Sequence, residues 1–300
     1  MKFKFDLYQR RFKQPLRTSH GVWQIREGII VSSIDSNGIA KGEIAPLPWF
    51  GSETMSQALE FCQQWGDNIT PEDIARIPNH LRACQFAFES AWLNLTNTTE
   101  RSHFDDLSYC YLLPAGEKAL TTWRKIYQSK NNNTFKWKIG VDSIEREIEI
   151  LLQLVAALPN HVKLRLDANG GLNQTQAKKL LTVTDRIDKI EFIEQLLPTD
   201  EFTAMLQLSK EYKTLLALDE SVASFEQLQL AHQRGWQGVF VIKAAIMGFP
   251  SRLVRYCQVN SLDVVFSSVF ETEIGRNAVL KIAQQLNHPR AVGFGLDYFV

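Results

Sequence analysis

Apolar and polar residues alternate strictly over the first eight residues, MKFKFDLY, where every second residue is apolar. A period of two is the pattern of a β-strand with one buried face. The stretch GIIVSSIDSNGIAKGEI then predicts a β-hairpin with a tight turn at Asn37-Gly38. Two helices are predicted after the hairpin, and the clearer one carries an apolar stripe made of Leu81, Cys84, Phe88, Ala91, Trp92 and Leu95. The first hundred or so residues are therefore predicted to form an α+β unit.

From about residue 108 the pattern changes to short apolar runs separated by longer amphipathic segments. The eight runs are SYCYLL, FKWKI, VKLRLD, KIEFIE, LLALDE, GVFVIK, LDVVFSS and AVGFGL. Between the second and third runs one helix is predicted, with a stripe made of Ile144, Ile148, Leu151, Leu152, Val155 and Leu158. Strands that alternate with helices at this spacing indicate βαβ units and a parallel sheet.

The number of runs decides between an open sheet and a barrel. Eight strands in succession favour a closed barrel. Only five residues follow Gly295, which leaves no room for an eighth helix. The predicted fold class is therefore α/β, a (β/α)7β TIM-like barrel with an N-terminal α+β capping domain. The predicted bounds are 1–105 for the capping domain and 106–300 for the barrel.

Composition excludes several classes of partner. The 300 residues include 33 of each charge sign, so there is no basic excess that would favour nucleic acid or an anionic membrane. No apolar segment approaches the roughly 20 residues that span a bilayer, and the N-terminus does not have the pattern of a secretory signal. The four cysteines are scattered, which predicts neither a zinc site nor a disulfide framework and favours a cytoplasmic location.

Charged residues lie at the ends of five consecutive predicted strands. They are Lys138, Asp167, Glu194, Asp219 and Lys243, separated by 29, 27, 25 and 24 residues. Each interval is close to the length of one βα unit. In a barrel these side chains would converge at the C-terminal mouth, where barrel enzymes carry their chemistry. Nothing in the pattern indicates an oligomeric state.

The three carboxylates of this set predict a metal site. Asp167, Glu194 and Asp219 on neighbouring strands would repel one another unless a cation lay among them. Oxygen ligands without Cys or His suit a hard divalent ion, so the predicted cofactor is Mg²⁺, with Mn²⁺ as the alternative. Each carboxylate taken alone is more often a helix N-cap or a solvated residue, and Asp219 before Glu220 and Ser221 fits simple capping.

Two lysines in the stretch TFKWKIG point to the same face of one strand. They are Lys136 and Lys138. A lysine acts as a general base near neutral pH only when its pKa is lowered, and a nearby like charge or divalent cation lowers it. We expect Lys138 and Lys243 to flank the metal, with Lys136 as the like charge beside Lys138. The alternative is that a lysine only pairs with a carboxylate, which is more credible for Lys136 than for the other two.

Several segments of the chain resemble those of a known family. The chain resembles the enolase superfamily in five segments, which occur in the same order and spacing: KWK, LDANGG, EFIEQ, LDES and VIK. Within that superfamily it is similar to the o-succinylbenzoate synthase family in four further segments: PLRTSHG, GEIAPLPWFGSET, SSVFETEIG and GFGLDYF. Two departures concern the loops: the usual proline directly after EQ is displaced in EQLLP, and VIKAA lacks the more common proline.

The resemblance implies a small-molecule carboxylate substrate as the partner, an activity and a set of substrate contacts. The activity is Mg²⁺-dependent dehydration of 2-succinyl-6-hydroxy-2,4-cyclohexadiene-1-carboxylate to 2-succinylbenzoate, in menaquinone or phylloquinone biosynthesis. Lys138 would be the base, Lys243 its electrostatic partner and Lys136 an auxiliary. The implied substrate contacts are Thr18, Ser19, His20 and Trp23 in one loop, Phe50 and Gly51 in another, and Asn169, Ser267 and Ser268 in the barrel. Alternatively, the two aromatic residues pack between the domains and the two serines are strand-end caps.

Three other functions remain open at this stage. N-succinylamino acid racemases share the resemblance, and in such an enzyme Lys243 would protonate the opposite face of the substrate. Dipeptide epimerases share it too, but they carry two acidic residues spaced DxD at the last strand, where this chain has only Asp297. A scaffold barrel that has lost catalysis is the non-enzyme alternative, although a scaffold requires no lysines at the mouth.

Overall fold

The computed structural model of the protein describes residues 1–18, 21–36, 38–65, 68–96, 104–130, 133–287, 289–295 and 299. The predicted contacts Ser19 and His20, the turn residue Asn37 and the terminal Asp297 lie outside these residues. No helix in the described part of the chain has the length and apolar character that crossing a membrane requires.

The N-terminal part is an antiparallel sheet covered by helices on one side. Its strands follow one another in the sheet as β1 Lys2–Thr18, β2 Gly21–Asp35 and β3 Gly38–Ile44. Its helices are α1 Met55–Gln64, α2 Pro71–Ala75 and α3 Arg82–Thr96. The predicted hairpin is the β2–β3 pair, in which Ile29 lies opposite Ile44. The five-residue helix α2 is an addition to the two predicted helices, because it is too short to show a period in the sequence.

Helix α3 lies close against strand β3. A Cβ atom at Gly42 would come within 1.9 Å of the carbonyl oxygen of Ala87 on α3. Only glycine permits the strand and the helix backbone to approach so closely. The face of α3 that meets the sheet is correspondingly small, with fully buried Ala83, Ala87 and Ala91.

The C-terminal part is a parallel sheet of seven strands, each followed by a helix. The strands, which neighbour one another in chain order in the sheet, are β4 Cys110–Leu113, β5 Thr134–Lys138, β6 Lys163–Asp167, β7 Ile190–Glu194, β8 Leu216–Leu218, β9 Val239–Ile242 and β10 Val264–Phe266. The helices are α4 Ala119–Lys130, α5 Ile144–Ala157, α6 Gln174–Thr184, α7 Phe202–Glu211, α8 Phe225–Gln233, α9 Pro250–Val259 and α10 Glu273–Leu286. This arrangement confirms the predicted fold class.

The eighth position of the barrel differs from the prediction. The segment AVGFGL, predicted as a strand, makes only isolated bridges in its described residues: Val292 pairs with Tyr109, and Gly293 pairs with Ser267. The amide N–H of Gly293 donates to Phe266 at 2.7 Å, while Val292 accepts from Cys110 at 2.8 Å. These bonds join β10 to β4, so the sheet closes through single contacts rather than through a full ladder.

The inside of the barrel is layered. An aliphatic and aromatic cluster made of Phe192, Ala217, Val239, Val241 and Val265 fills its middle. Below it, the buried guanidinium of Arg165 donates to Glu191 at 2.6 Å and lies over the ring of Phe192. Above it lie the strand-end lysines and carboxylates. The charged groups of the barrel interior in the described structure therefore lie at its two ends, and Phe50 of the N-terminal part reaches the C-terminal end.

Two carboxylates of the N-terminal part bind the first turns of barrel helices. Glu43, which is 0% exposed, accepts hydrogen bonds from the backbone N–H groups of Thr272 and Gly275 at the start of α10. Glu89 accepts from the backbone N–H and the hydroxyl of Ser251 at the start of α9. The N-terminus of a helix favours negative charge, so both contacts hold the two parts together. The predicted boundary at residues 105 and 106 stays a prediction.

Candidate active site

The ladder registers bring the predicted site residues together. Lys138 lies opposite Asp167 across the β5–β6 pair, and Asp167 lies opposite Glu194 across the β6–β7 pair. Asp219 follows β8 directly and Lys243 follows β9. Because successive side chains of a strand alternate between faces, all five occupy the inward-facing set at the C-terminal ends of adjacent strands. The three carboxylates are buried, with at most 5% of each residue exposed.

Lys136 is ion-paired. Its ammonium lies 2.9 Å from Asp167 and 3.0 Å from Glu194. Burial alone would lower the pKa of Lys136, but the two carboxylates outweigh burial and hold this pKa well above its usual value. Lys136 therefore keeps its positive charge, and its role as the like charge beside Lys138 stays a prediction. The alternative, pairing with carboxylates, is what the structure contains.

Lys243 has two partners. Its ammonium donates to the carboxylate of Asp219 and lies 4.1 Å from the centre of the Phe50 ring. A cation over an aromatic face is attracted by the ring quadrupole. Phe50 comes from the short 3-10 helix Pro48–Phe50 of the N-terminal part. One of the predicted loops thus reaches the barrel mouth through Phe50, and the exposed Gly51, with φ of 77°, ends the turn behind it.

Lys138 differs from the other two lysines. Among the residues that the structure describes, its ammonium forms neither a hydrogen bond nor an ion pair. It is half-buried and carried by a strand whose neighbouring residue, Trp137, is fully buried. A nitrogen that makes neither a hydrogen bond nor an ion pair is available to exchange a proton with a bound molecule.

The carboxyl groups differ in how readily they ionise. Burial raises the pKa of Glu194 to about 8, and repulsion from Asp167 adds to that shift. Burial also raises the pKa of Asp219, although the ammonium of Lys243 opposes it. At Asp167 burial acts in the same direction, but Lys136 outweighs it and the pKa lies below its usual range. Such mutual repulsion is expected where several carboxylates share one buried site.

The residues at the mouth fit a divalent cation by their chemistry. The donors are buried carboxylates on three adjacent strands, without sulfur or imidazole, which suits Mg²⁺. As they stand, no three carboxylate, histidine or cysteine groups among the described residues are arranged to coordinate one ion. The ammonium of Lys136 lies against the carboxylates of Asp167 and Glu194, and that of Lys243 lies against the carboxylate of Asp219. The alternative of simple capping fails for Asp219, whose side chain makes no cap hydrogen bond.

Gln195 and Glu220 are components of the site to which the sequence reasoning gave no role. The side-chain amide of Gln195 bonds to the backbone of Asp219. Glu220 accepts a hydrogen bond from the predicted substrate contact Asn169 at 3.0 Å, and its second oxygen is buried without a partner in the described structure. Gln195 directly follows Glu194, and Glu220 directly follows Asp219. This adjacency to a predicted metal ligand was the feature of the sequence that could have indicated their place in the site.

The predicted contacts Ser267 and Ser268 lie after β10, and their environments differ. The hydroxyl of Ser268 donates to Glu271 at 2.9 Å and accepts from the backbone N–H of Phe270 at 2.8 Å. It therefore fits the alternative role of a cap better than that of a substrate contact. Ser267 is half-buried and pairs with Gly293 at the closure of the barrel. Burial raises the pKa of the Glu271 carboxyl to about 7.

Trp23 lies in an aromatic cluster between the N-terminal part and the barrel. Its ring centre is 5.0 Å from that of Phe12, 4.9 Å from that of Trp49 and 5.5 Å from that of Phe270. This packing fits the interdomain alternative for Trp23. The backbone of Thr18 ends β1, while its side chain lies outside what the structure describes.

Comparison with known proteins agrees with this geometry. The family model described as enolase C-terminal domain-like matches residues 119–297, and the one described as MenC, N-terminal domain, matches residues 7–95. The chain is 40% identical to the o-succinylbenzoate synthase of Thermosynechococcus vestitus, over 99% of this chain and 93% of that protein. It is 27% identical to the o-succinylbenzoate synthase of Pasteurella multocida, over 99% of this chain and 88% of that protein.

Solved structures give the same relationship. The crystal structure of o-succinylbenzoate synthase from Thermosynechococcus elongatus BP-1, complexed with Mg in the active site, superposes with a TM-score of 0.94 at 40% identity. That match covers 100% of this chain and 95% of the other. The L-Ala-D/L-Glu epimerase from Bacillus subtilis superposes with a TM-score of 0.79 at 20% identity, covering 97% and 89%, and shows likeness of fold alone.

A barrel with lysines and carboxylates at its C-terminal mouth, covered by an antiparallel sheet domain, defines an enzyme of the enolase superfamily type. Within that class, the chain belongs to the o-succinylbenzoate synthase family. The resemblance expected from the sequence is thereby confirmed, and the chain is a hydro-lyase.

Proposed function

We propose that this chain dehydrates 2-succinyl-6-hydroxy-2,4-cyclohexadiene-1-carboxylate to 2-succinylbenzoate, in the biosynthesis of menaquinone or phylloquinone. The observation that carries the assignment of roles is the difference among the three lysines. Lys136 and Lys243 are bound to carboxylates, whereas Lys138 makes no hydrogen bond or ion pair with the described residues and acts on Asp167 only through its charge. Lys138 is therefore the proposed acid and base of the reaction.

The proton balance requires only one such group. Nζ of Lys138, as the neutral amine, removes the proton from ring carbon C1, which bears the carboxylate. The resulting ammonium then donates that proton to the hydroxyl on C6, which leaves as water while the electron pair forms the ring double bond. No oxidant or other reactant is needed, and the amine is regenerated. A single half-buried lysine at the mouth of the barrel satisfies both steps.

Asp167, Glu194 and Asp219 are the proposed ligands of the metal, which is Mg²⁺ with Mn²⁺ as the alternative. When bound, such an ion supplies positive charge that stabilises the dianion formed on proton removal. The ammonium of Lys136 touches two of these ligands and holds them beside one another. Its proposed role is therefore to position the ligands rather than to transfer a proton.

Lys243 is proposed to supply electrostatic stabilisation from the opposite side. Its ammonium is held by Asp219 and covered by the Phe50 ring. A fixed positive charge in a site from which water is excluded stabilises a developing anion without reorganisation. The racemase alternative requires this same nitrogen to transfer protons freely, and the two contacts support the dehydratase role instead. Phe50 is the proposed cap contact to the substrate.

Asn169 and Ser267 remain the proposed barrel contacts to the substrate carboxylates. Asn169 lies at the rim between Asp167 and Glu220, and Ser267 follows β10 on the inward-facing side. We also propose a cytoplasmic location, because the four cysteines are buried free thiols, as in proteins of reducing compartments.

The test is a direct assay. Purified protein is mixed with the cyclohexadiene substrate and Mg²⁺, and loss of the diene absorbance is followed with and without EDTA. We expect loss that depends on the metal. Lys138→Ala should abolish turnover, while Lys163→Ala, which removes an exposed lysine at the opposite end of the next strand, should retain it. Folded protein without activity on this substrate would contradict the proposal, and N-succinyl amino acids would then be tested for racemisation.

A further inference from the structure

We propose that Gln195 is a positioning residue that fixes the distance between Glu194 and Asp219, and that it thereby sets the affinity of the site for its divalent ion. Gln195 is completely buried and directly follows Glu194 at the end of β7. The proposal rests on the metal ligands proposed above, and it concerns a residue that does not itself touch substrate or metal.

The side-chain amide of Gln195 uses all of its hydrogen-bonding capacity, with three bonds to the loop after β8 and one to the loop after β7. Its Oε1 accepts from the backbone N–H groups of Asp219 and Ser221, each at 3.1 Å. Its Nε2 donates to the hydroxyl of Ser221 at 2.8 Å and to the carbonyl of Leu197 at 3.0 Å. Backbone N–H groups only donate and carbonyls only accept, so the network permits a single orientation of the amide.

The backbone of Gln195 extends this connection to the strands on both sides. Its N–H donates to Ala217 on β8 at 2.8 Å, and its carbonyl accepts from Gly170, in the loop after β6, at 2.6 Å. The residue has φ of 39°, a left-handed conformation that residues with a Cβ rarely adopt. A buried residue kept in this conformation is held there by its surroundings. Gln195 thus contacts the loops that follow all three ligand-bearing strands.

The same contacts account for the departure from the family pattern at EQLLP. Leu196 and Leu197 stand between Gln195 and Pro198, and both are fully buried. The carbonyl of Leu197 is bound by the Gln195 amide, while Pro198 lies against Gly170, where a Cβ atom would approach it to 3.3 Å. The segment after Gln195 is therefore folded back onto it, and Glu194 stays at the strand end.

Metal affinity depends on how well the ligands are held before the ion binds. Glu194 and Asp219 are buried carboxylates at the ends of adjacent strands, and two ionised carboxylates so placed repel each other. The side-chain amide of Gln195 opposes their separation. Gln195 directly follows Glu194, and its amide oxygen accepts a hydrogen bond from the backbone N–H of Asp219. Groups that orient metal ligands typically change affinity by about 10- to 100-fold when they are removed.

The decisive variant is Gln195→Met, which keeps the length and approximate volume of the side chain and removes all four amide hydrogen bonds. The probe is Mn²⁺ alone, whose free concentration is measured by electron paramagnetic resonance, with Mg²⁺ as competitor. We expect the Kd for Mn²⁺ to rise about 10- to 100-fold. The matched control is Gln85→Met, which removes a buried amide of α3 that donates to the carbonyl of Ile77 at 2.8 Å. It should lower stability without changing the Kd.

The thermal midpoint of each metal-free variant is measured in parallel. A folded Gln195→Met variant that binds Mn²⁺ within threefold of the unchanged protein would overturn the proposal, as would an equal loss in Gln85→Met. If Gln195→Met does not fold, Ser221→Ala is decisive, because it removes one acceptor of the amide, and an unchanged Kd would then refute the proposal. Tight Mn²⁺ binding without dehydration would refute the proposed reaction but leave the role of Gln195 intact.

Discussion

Replacing Glu43 with alanine should loosen the attachment of the N-terminal sheet to the barrel. The Glu43 carboxylate accepts from the hydroxyl of Tyr8, from the backbone N–H and hydroxyl of Thr272, and from the backbone N–H of Gly275. Gly275 is required for this approach, since a Cβ there would lie 3.0 Å from the carboxylate. The variant leaves four donors without their acceptor, and that of Gly275 is buried while those of Tyr8 and Thr272 are partly buried.

The magnitude follows from that inventory. A hydrogen bond to a charged group contributes about 1.5–3 kcal/mol, but bonds to one acceptor do not add independently. Removing one member of a buried charged network costs about 3–5 kcal/mol in the free energy of unfolding, and we expect Glu43→Ala to fall in this range. Glu89→Ala is the matched comparison. Glu89 is slightly exposed and binds only the two donors of Ser251, so about 1–3 kcal/mol is expected.

The assay is urea denaturation followed by both tryptophan fluorescence and circular dichroism, because coincidence of the two curves is needed before a single free energy is quoted. Hydrogen exchange measures the protection of individual backbone amides near each carboxylate. In Glu43→Ala the amides of Thr272 and Gly275 should lose protection, whereas in Glu89→Ala only the start of α9 should be affected. Tyr8→Phe removes one donor and keeps the carboxylate, so it should cost about 1 kcal/mol.

Two results would refute this reasoning. The first is a loss in Glu43→Ala no larger than that in Glu89→Ala, which would mean that the number of buried donors does not determine the cost. The second is unchanged exchange at the start of α10, which would mean that the carboxylate does not hold this helix.

Three further predictions concern other buried contacts. Burial raises the pKa of Glu271 from 4.5 to about 7, so the folded protein binds this proton more tightly than the unfolded chain does. Relative to Glu271→Gln, the unchanged protein should therefore lose up to about 3 kcal/mol of stability as the pH rises from 4.5 to 7. Urea titrations measure the free energy of unfolding of both proteins, and a difference between them that does not change with pH would contradict this. Arg165→Met should cost about 3–5 kcal/mol, because it leaves Glu191 partly unpaired inside the barrel, and a cost below 1 kcal/mol would count against that ion pair. Gly42→Ala should lower the free energy of unfolding by about 1–3 kcal/mol, because the added Cβ would meet the backbone of Ala87. An unchanged thermal midpoint would contradict this close packing.

Much of the fold was predictable because strands and helices of a barrel repeat the same two periods. Seven of the eight apolar runs became strands of the parallel sheet, in chain order. The exception is the run AVGFGL, which contains two glycines and closes the sheet by isolated bridges. Hydrophobicity alone does not distinguish a strand from a segment that fills a gap between two strands, since both are buried.

Helix α5 shows where periodicity misleads. Leu152 was placed on the apolar stripe of this helix but is 48% exposed, whereas Glu147 is buried. The Glu147 carboxylate accepts from the backbone N–H groups of Gly140 and Val141, in the loop that follows Lys138. A polar residue takes a buried position here because it satisfies backbone groups, and no hydrophobic pattern reports such a partner.

Six buried acidic residues of this chain fall into two groups that the sequence distinguishes only in part. Those spaced by one βα unit meet at the mouth of the barrel, and their spacing made the convergence predictable. Glu43, Glu89 and Glu147 have no such spacing. Glu43 and Glu89 bind backbone N–H groups of helices far away in the chain, and Glu147 binds those of the loop just before its own helix. Their role depends on which helix or loop lies opposite, which is a property of the packed structure. A buried carboxylate is thus a candidate for chemistry when its neighbours are other carboxylates and lysines, and a structural anchor when its neighbours are backbone N–H groups.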